Sequence, residues 1–227
     1  MNKILIEVKK LIKNYQNNNS TINVLNNINL EINSGKVIAI VGPSGSGKST
    51  FLHLIALLDQ PTKGKIFLMG NLTSDFSENK KNEIIKNNIS IIFQSHNLLT
   101  DFTALENVAI PLIIRNQNYK KSIKKAEKFL AQVKLSHRLN HFPSDLSGGE
   151  QQRVAIARCL AADTKIILAD EPTGNLDSKT SNEVFSYFLK LKEKNKTILI
   201  ATHNRELAKK ADYTLSISDG NIKKSYD

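Results

Sequence analysis

Apolar positions along the chain follow two periods. Residues 37–41, 90–93, 165–170 and 197–202 are short, nearly continuous apolar runs, the pattern of strands covered on both faces in a parallel sheet. Residues 4–8 and 23–32 read as strands of another kind. Ile28, Leu30 and Ile32 alternate with polar neighbours, as in half-buried antiparallel strands, and the polar stretch 17–21 turns the chain between the two. Residues 64–70 predict one more short strand. Helical patterns follow at 53–58, at 78–86 and again from 95 onward. Thr103 and Glu106 form a T-x-x-E capping box that starts a helix through Ile110, which Pro111 ends or kinks. A second helix over 120–135 carries Ile123, Phe129, Leu130 and Val133 as its apolar stripe. Ser147 and Glu150 repeat the box, so Ser147 caps a helix running to about Ala162. The pattern predicts an α/β fold with an antiparallel β flap beside a core whose last strand is 197–202. Residues 1–94 and 146–227 supply flap and core, and 95–145 form an inserted α-helical subdomain.

With 227 residues the chain has room for one such cassette. No apolar run approaches the roughly 18 residues that span a bilayer, and residues 1–13 lack a signal-peptide core, which predicts a cytosolic chain. Cys159 is the single cysteine; its apolar helical setting predicts packing rather than redox chemistry. The net charge of +11 raises nucleic acid as a partner, but only five of the 32 basic residues are Arg, the side chain suited to reading phosphates in forked pairs. No nucleic-acid partner is expected. Between Arg115 and Arg138 eight basic residues face Glu127 alone, read as a solvated helix face, with anionic lipid headgroups as the alternative.

Chemistry concentrates at Gly42, Pro43, Ser44, Gly45, Ser46, Gly47, Lys48, Ser49 and Thr50, the sequence GPSGSGKST between a strand and a helix. Glycines let successive backbone N–H groups approach phosphate oxygens at a helix N-terminus. Lys48 is placed for the β and γ phosphates, Ser49 for Mg²⁺ and Thr50 for the α phosphate. ATP with Mg²⁺ is therefore the expected ligand. Gln94 and the pair Asp170 and Glu171 follow strands whose C-terminal ends form the ligand edge of an open α/β sheet. Asp170 suits Mg²⁺, and Glu171 suits general-base activation of water. His203 follows another such strand as a γ-phosphate contact. Gly148 and Gly149, after Ser147, leave a second helix N-terminus open to an anion. Tyr15 in the flap is a candidate platform for the adenine ring.

Together these residues resemble the nucleotide-binding subunit of an ABC transporter, built on a P-loop NTPase core, across nearly the whole chain. GPSGSGKS is similar to its Walker A motif, Gln94 to its Q-loop, LSGGEQQR at 146–153 to its signature and IILADE to its Walker B. Asn175, Leu176 and Asp177 resemble its D-loop, and His203 its switch histidine. The resemblance implies an ATPase working as a head-to-tail homodimer, in which Ser147, Gly149 and Asp177 of one subunit act in trans on ATP held by the other. It also implies Gln94 as a sensor and ligand of Mg²⁺, and attachment to the cytoplasmic face of the inner membrane through integral permease subunits. Within the family, the start MNKIL and the segments HLIALLDQPTKG at 53–64 and HNLLTDFTALENVAIPL at 96–112 resemble ATPases of lipoprotein-releasing systems, whose permeases are of the LolC and LolE type. Efflux ATPases of the MacB type and the cell-division ATPase FtsE are the alternatives. Thr100 and Asn204 depart from the usual Pro and Asp. A chromosome-maintenance ATPase would need long coiled coils between Lys48 and Ser147, and no sustained heptads lie there. In the segment after Gln94, Leu98, Leu99, Phe102 and Leu105 are either core of the insert or a groove that receives a helix of the permease.

Overall fold

The computed structural model describes residues 3–17, 20–174 and 176–225. Asn175, the tip of the 17–21 turn, the first two residues and the last two lie outside the described residues. The elements, in order, are β1 (Ile4–Asn17), β2 (Ser20–Asn33), β3 (Val37–Val41), α1 (Lys48–Ile55), β4 (Lys63–Leu68), β5 (Asn71–Leu72), α2 (Glu78–Asn88) and β6 (Ile89–Ile92). Then come α3 (Ala104–Ile114), α4 (Tyr119–Gln132), α5 (Gly148–Ala162), β7 (Ile166–Asp170), α6 (Ser178–Glu193), β8 (Thr197–Ala201), α7 (Arg205–Ala208), β9 (Tyr213–Ser218) and β10 (Asn221–Ser225). Among the described residues, one sheet has the order β2-β1-β4-β5 and the other β10-β9-β3-β8-β7-β6.

The first sheet is the antiparallel flap. Both its long strands outrun the alternation read from sequence, because bulges at Lys10 and Asn27, each with a φ of 49°, absorb the breaks in period. In the second sheet β3, β6, β7, β8 and β9 run parallel. The continuous apolar runs have a simple cause there. Ile38, Ile40, Ile166, Leu168 and Leu199 point into a core shared with the flap and α1, while Val37, Ile167, Ala169, Ile198 and Ile200 point into a second core with α3, α5 and α6. Phe51, Phe185 and Phe188 are fully buried in these cores, a stabilisation of roughly 1.5–3 kcal/mol each.

Three expectations change, and one helix was not expected. Residues 197–202 do not give the last core strand: β9 joins the sheet beside β3, so β3 lies between β8 and β9. The helix behind the glycine loop starts at Lys48 and stops at Ile55, since Leu57 takes a left-handed φ of 62° that a helix cannot continue. Pro111 does not end α3, which runs three residues further; Val108, Ala109 and Leu112 are fully buried around it, and their packing outweighs the one backbone bond that proline forfeits. The helix α6, caught by no periodic reading, is capped by Asp177 and buries Val184, Phe185 and Phe188. Cys159 is buried, and that burial pushes its thiol up to about 12, a packing role. Among the described residues no helix is long and apolar enough to cross a membrane.

Candidate active site

Four parallel strands end at one edge of the sheet, and each delivers part of the site. β3 leads into Gly42, β6 into Gln94, β7 ends in Asp170 and leads into Glu171, and β8 leads into Thr202 and His203. Cross-strand bonds lock these ends together: the Glu171 N–H donates to the Ala201 carbonyl (2.9 Å) and the Thr202 N–H to the Ile40 carbonyl (3.0 Å). A cavity of about 510 Å³ opens there, lined among others by Gly45, Lys48, Ser49, Thr50, Gln94, Asp170, Glu171 and His203.

The loop from Gly42 to Gly47 requires glycine at two points. A Cβ on Gly42 would lie 2.2 Å from the Ile217 carbonyl oxygen, and Gly47, at φ 103°, would meet Val24 and Leu25 at 3.0–3.1 Å. No side chain caps α1 and no acidic residue sits in its first turn, so its opening N–H groups and positive end face the cavity. The Lys48 ammonium donates to the carbonyls of Gly42 and Pro43, both at 3.0 Å. An anion in the loop would find that cation within reach. The buried Ser46 hydroxyl has no partner.

Asp170 is 8% exposed, and Glu171 beside it holds a left-handed φ of 47°. Glu171 Oε2 lies 3.0 Å from His203 Nδ1, close enough for an ion pair with a protonated ring but outside hydrogen-bond geometry, so that buried oxygen keeps a lone pair for another donor. His203 itself is mostly exposed, with a side chain 74% accessible. Ser49, Gln94 and Asp170 offer oxygen donors only, the hard set that suits Mg²⁺ completed by phosphate oxygens and water. Among the described residues no cluster of three or more His, Cys, Asp or Glu side chains forms a separate metal site.

Other expected residues stand apart from this cavity. Ser147 caps α5 in a full capping box, its Oγ accepting from the Glu150 N–H (3.3 Å) and its own N–H donating to Glu150 Oε2 (2.9 Å). Ser147, Gly149 and Asp177 do not line the cavity of their own chain. Asp177 caps α6 by accepting from the Thr180 N–H (3.0 Å) and hydroxyl (2.6 Å). Asn204 caps the short α7, accepting from the N–H groups of Glu206 and Leu207, which gives this departure from the family pattern a local structural role. Tyr15 stands at the cavity's margin, in contact with Thr50 but not among the lining residues. Pro43 lines a neighbouring cavity with His203 and Arg205. Two lining residues escaped the sequence reading: Val24, an ordinary strand residue, and Gly174, three residues past Glu171, where the short P-T-G run was the available signal.

The profile of the family described as "ABC transporter" matches residues 25–174. The lipoprotein-releasing system ATP-binding protein LolD of Rickettsia bellii is 50% identical over 226 residues, 99% of each chain. The uncharacterized ABC transporter ATP-binding protein MJ1508 of Methanocaldococcus jannaschii is 48% identical over 96% of this chain and 97% of its own. Among solved structures, the dimeric structure of the bacterial ABC transporter cassette MJ0796 superposes with a TM-score of 0.94 at 39% identity, covering 98% of both chains. A post-hydrolysis dimer of the same cassette, bound to ADP and Pi, superposes equally well at 38% identity. With the phosphate loop, the carboxylate pair and the histidine on one sheet edge, and with likeness over nearly its full length, this chain belongs to the ABC transporter family and is its ATPase cassette.

Proposed function

We propose that this ATPase powers a membrane complex that releases lipoproteins from the inner membrane toward the outer membrane. The observation that carries this reading is the near full-length identity to relatives named for that system. The chain sits at the cytoplasmic face of the membrane, held there by permease subunits of the LolC and LolE type. Similar identity to a relative named only as an uncharacterized ABC transporter ATP-binding protein leaves room for a second reading, an efflux or cell-division ATPase with the same site.

ATP lies with its phosphates in the loop from Gly42 to Thr50, where Lys48 turns from its own carbonyls to the β and γ phosphates and Thr50 meets the α phosphate. Ser49, Gln94 and Asp170 would hold Mg²⁺, which when bound neutralises charge on the β and γ phosphates. Glu171 orients a water and takes its proton as the oxygen attacks the γ phosphorus, and His203 steadies the transferred group. ADP and phosphate leave. Two chains pair head to tail, so that Ser147, Gly149 and Asp177 of one close over the cavity of the other; their position outside their own cavity and the dimeric form of the similar cassette support this. Hydrolysis removes the shared phosphate and with it the differential affinity that favours the closed dimer.

Coupling to the permease runs through the segment after Gln94. Leu98 and Leu105 are packed on the second core, whereas Leu99 and Phe102 are 45% and 41% exposed. Buried Asn107 holds that segment in place, accepting from the Leu99 N–H (2.8 Å) and donating to the carbonyls of Leu99, Phe102 and Thr103. Two apolar side chains displayed on a rigid loop suit a helix of the permease. In membranes solubilised in mild detergent, the wild-type chain should co-purify with a permease carrying a periplasmic domain, and Leu99→Asp with Phe102→Asp should lose it while ATP affinity persists. A folded double mutant that keeps the permease sinks the docking assignment, and a permease of another architecture sinks the lipoprotein reading.

A further inference from the structure

The margin of the site where the base would lie is braced from below. Tyr15 is 39% exposed, and its hydroxyl donates to Asp59 Oδ2 at 2.7 Å. The second oxygen of the same carboxylate, Oδ1, accepts from the Lys13 ammonium at 2.7 Å, and that ammonium also donates to the Gln60 carbonyl at 2.9 Å. Lys13 is 8% exposed, and its nitrogen sits 4.6 Å from the centre of the Tyr15 ring. One face of the ring is therefore occupied by a cation, in the range of cation–π attraction. One network therefore joins β1 to the segment between α1 and β4, the stretch that follows the phosphate-binding helix. Burial acts to raise the Asp59 carboxyl, but bonds from Lys13, Tyr15 and the Gln60 N–H outweigh it and hold the group below its ordinary value, ionised at neutral pH.

We propose that Asp59, with Lys13, is a positioning residue for the nucleotide base: it fixes the Tyr15 ring with one face closed by the Lys13 ammonium and the opposite face presented as the stacking platform. The proposal rests on the reading of Tyr15 as the adenine contact. A tyrosine on a flap strand would otherwise turn freely about its side-chain torsions, and a stacking platform loses affinity to that freedom. Here the anchor is 44 residues away in sequence and reaches the ring from the loop that follows the phosphate-binding helix. Base contact and phosphate loop are thereby tied to one another through the segment that follows α1. Lys13, Tyr15 and Asp59 do not line the cavity that holds Lys48, Glu171 and His203, so the effect falls on binding of the base and not on the chemical step.

The test is steady-state ATP hydrolysis by the full chain, with inorganic tripolyphosphate as a base-free competitor. Asp59→Ala should raise KM for ATP about fivefold to tenfold, toward the lower end of what base stacking contributes, with kcat within about twofold and tripolyphosphate inhibition unchanged. Tyr15→Phe, which severs the same bond at an exposed position without risk to the fold, should raise KM in the same sense. In a Tyr15→Ala background, Asp59→Ala should add nothing, the non-additivity expected of a residue acting through another. If Tyr15→Ala leaves KM unchanged, the platform reading falls and this proposal with it. If Tyr15→Ala raises KM but Asp59→Ala and Tyr15→Phe do not, or if the double mutant is additive, the platform stands and the positioning role is overturned.

Discussion

Glu171 owes its place to backbone before any chemistry. Its left-handed φ, which costs a non-glycine residue roughly 1–2 kcal/mol, is held by the bond from its N–H to the Ala201 carbonyl, and that turn carries the carboxylate into the cavity just past Asp170. An oxygen that is buried yet without a hydrogen-bond donor is what a general base needs at the moment a water arrives. Glu171→Gln keeps the shape and loses the proposed base. The variant should bind ATP while turnover falls by about 10²- to 10⁴-fold, and with ATP and Mg²⁺ it should elute from a sizing column as a dimer. Hydrolysis at near wild-type rate would reassign the base. The types and order of these residues were legible from the strands they follow; the unpartnered oxygen and its 3.0 Å approach to His203 were not, because both depend on how β7 and β8 pair.

Among the elements, α5 shows how a local signal sets a functional surface. The S-x-x-E spacing alone gave its start, and the structure begins it at Gly148 with both reciprocal bonds of the box made. What the spacing did not show is a third partner: Arg138 Nε donates to Glu150 Oε1 at 2.9 Å, tying the helix start to the segment after α4. The bond from the Ser147 N–H, aided by Arg138 and opposed by burial, lowers Glu150 to about 2. A carboxylate depressed in the folded state contributes stability that is present above its unfolded value, near 4.5, and is lost as pH falls toward 2. Glu150→Gln should therefore melt below wild type at pH 7, by roughly 2–4 °C for an interaction of about 1 kcal/mol in a chain of this size. The gap should begin to close below pH 4.5, and a gap that stays constant from pH 7 to pH 3 would show that the charge of Glu150 is not what matters. Pro111 shows the opposite case, a local rule overridden by the burial of its neighbours.

For the whole molecule the question is where a complete site exists. The phosphate loop and the capped start of α5 are both formed in one chain, yet Ser147 and Gly149 do not reach that chain's own cavity. In a head-to-tail pair, Lys48→Ala and Ser147→Arg chains each spoil both sites of their own homodimers, while a mixed dimer keeps one site with loop and helix start intact. Mixing the two should restore ATP-dependent pairing at up to half the wild-type number of sites, read by light scattering; Ser147→Arg chains that close on ATP alone as tightly as wild type would contradict the arrangement. The sequence by itself determined the features carried by short-range chemistry: the glycine loop, the strand at Val37–Val41, the capped helix starts at Thr103 and Ser147, and the residue types at the strand ends. Only the tertiary structure decided that β9 lies beside β3, that α3 continues through Pro111, and that Asp59 anchors Tyr15. The reason is physical. A cap or a glycine turn is stabilised by bonds within about four residues, whereas strand order and the Tyr15 anchor are fixed by burial and pairing between segments tens of residues apart, whose free energy no single stretch of sequence contains.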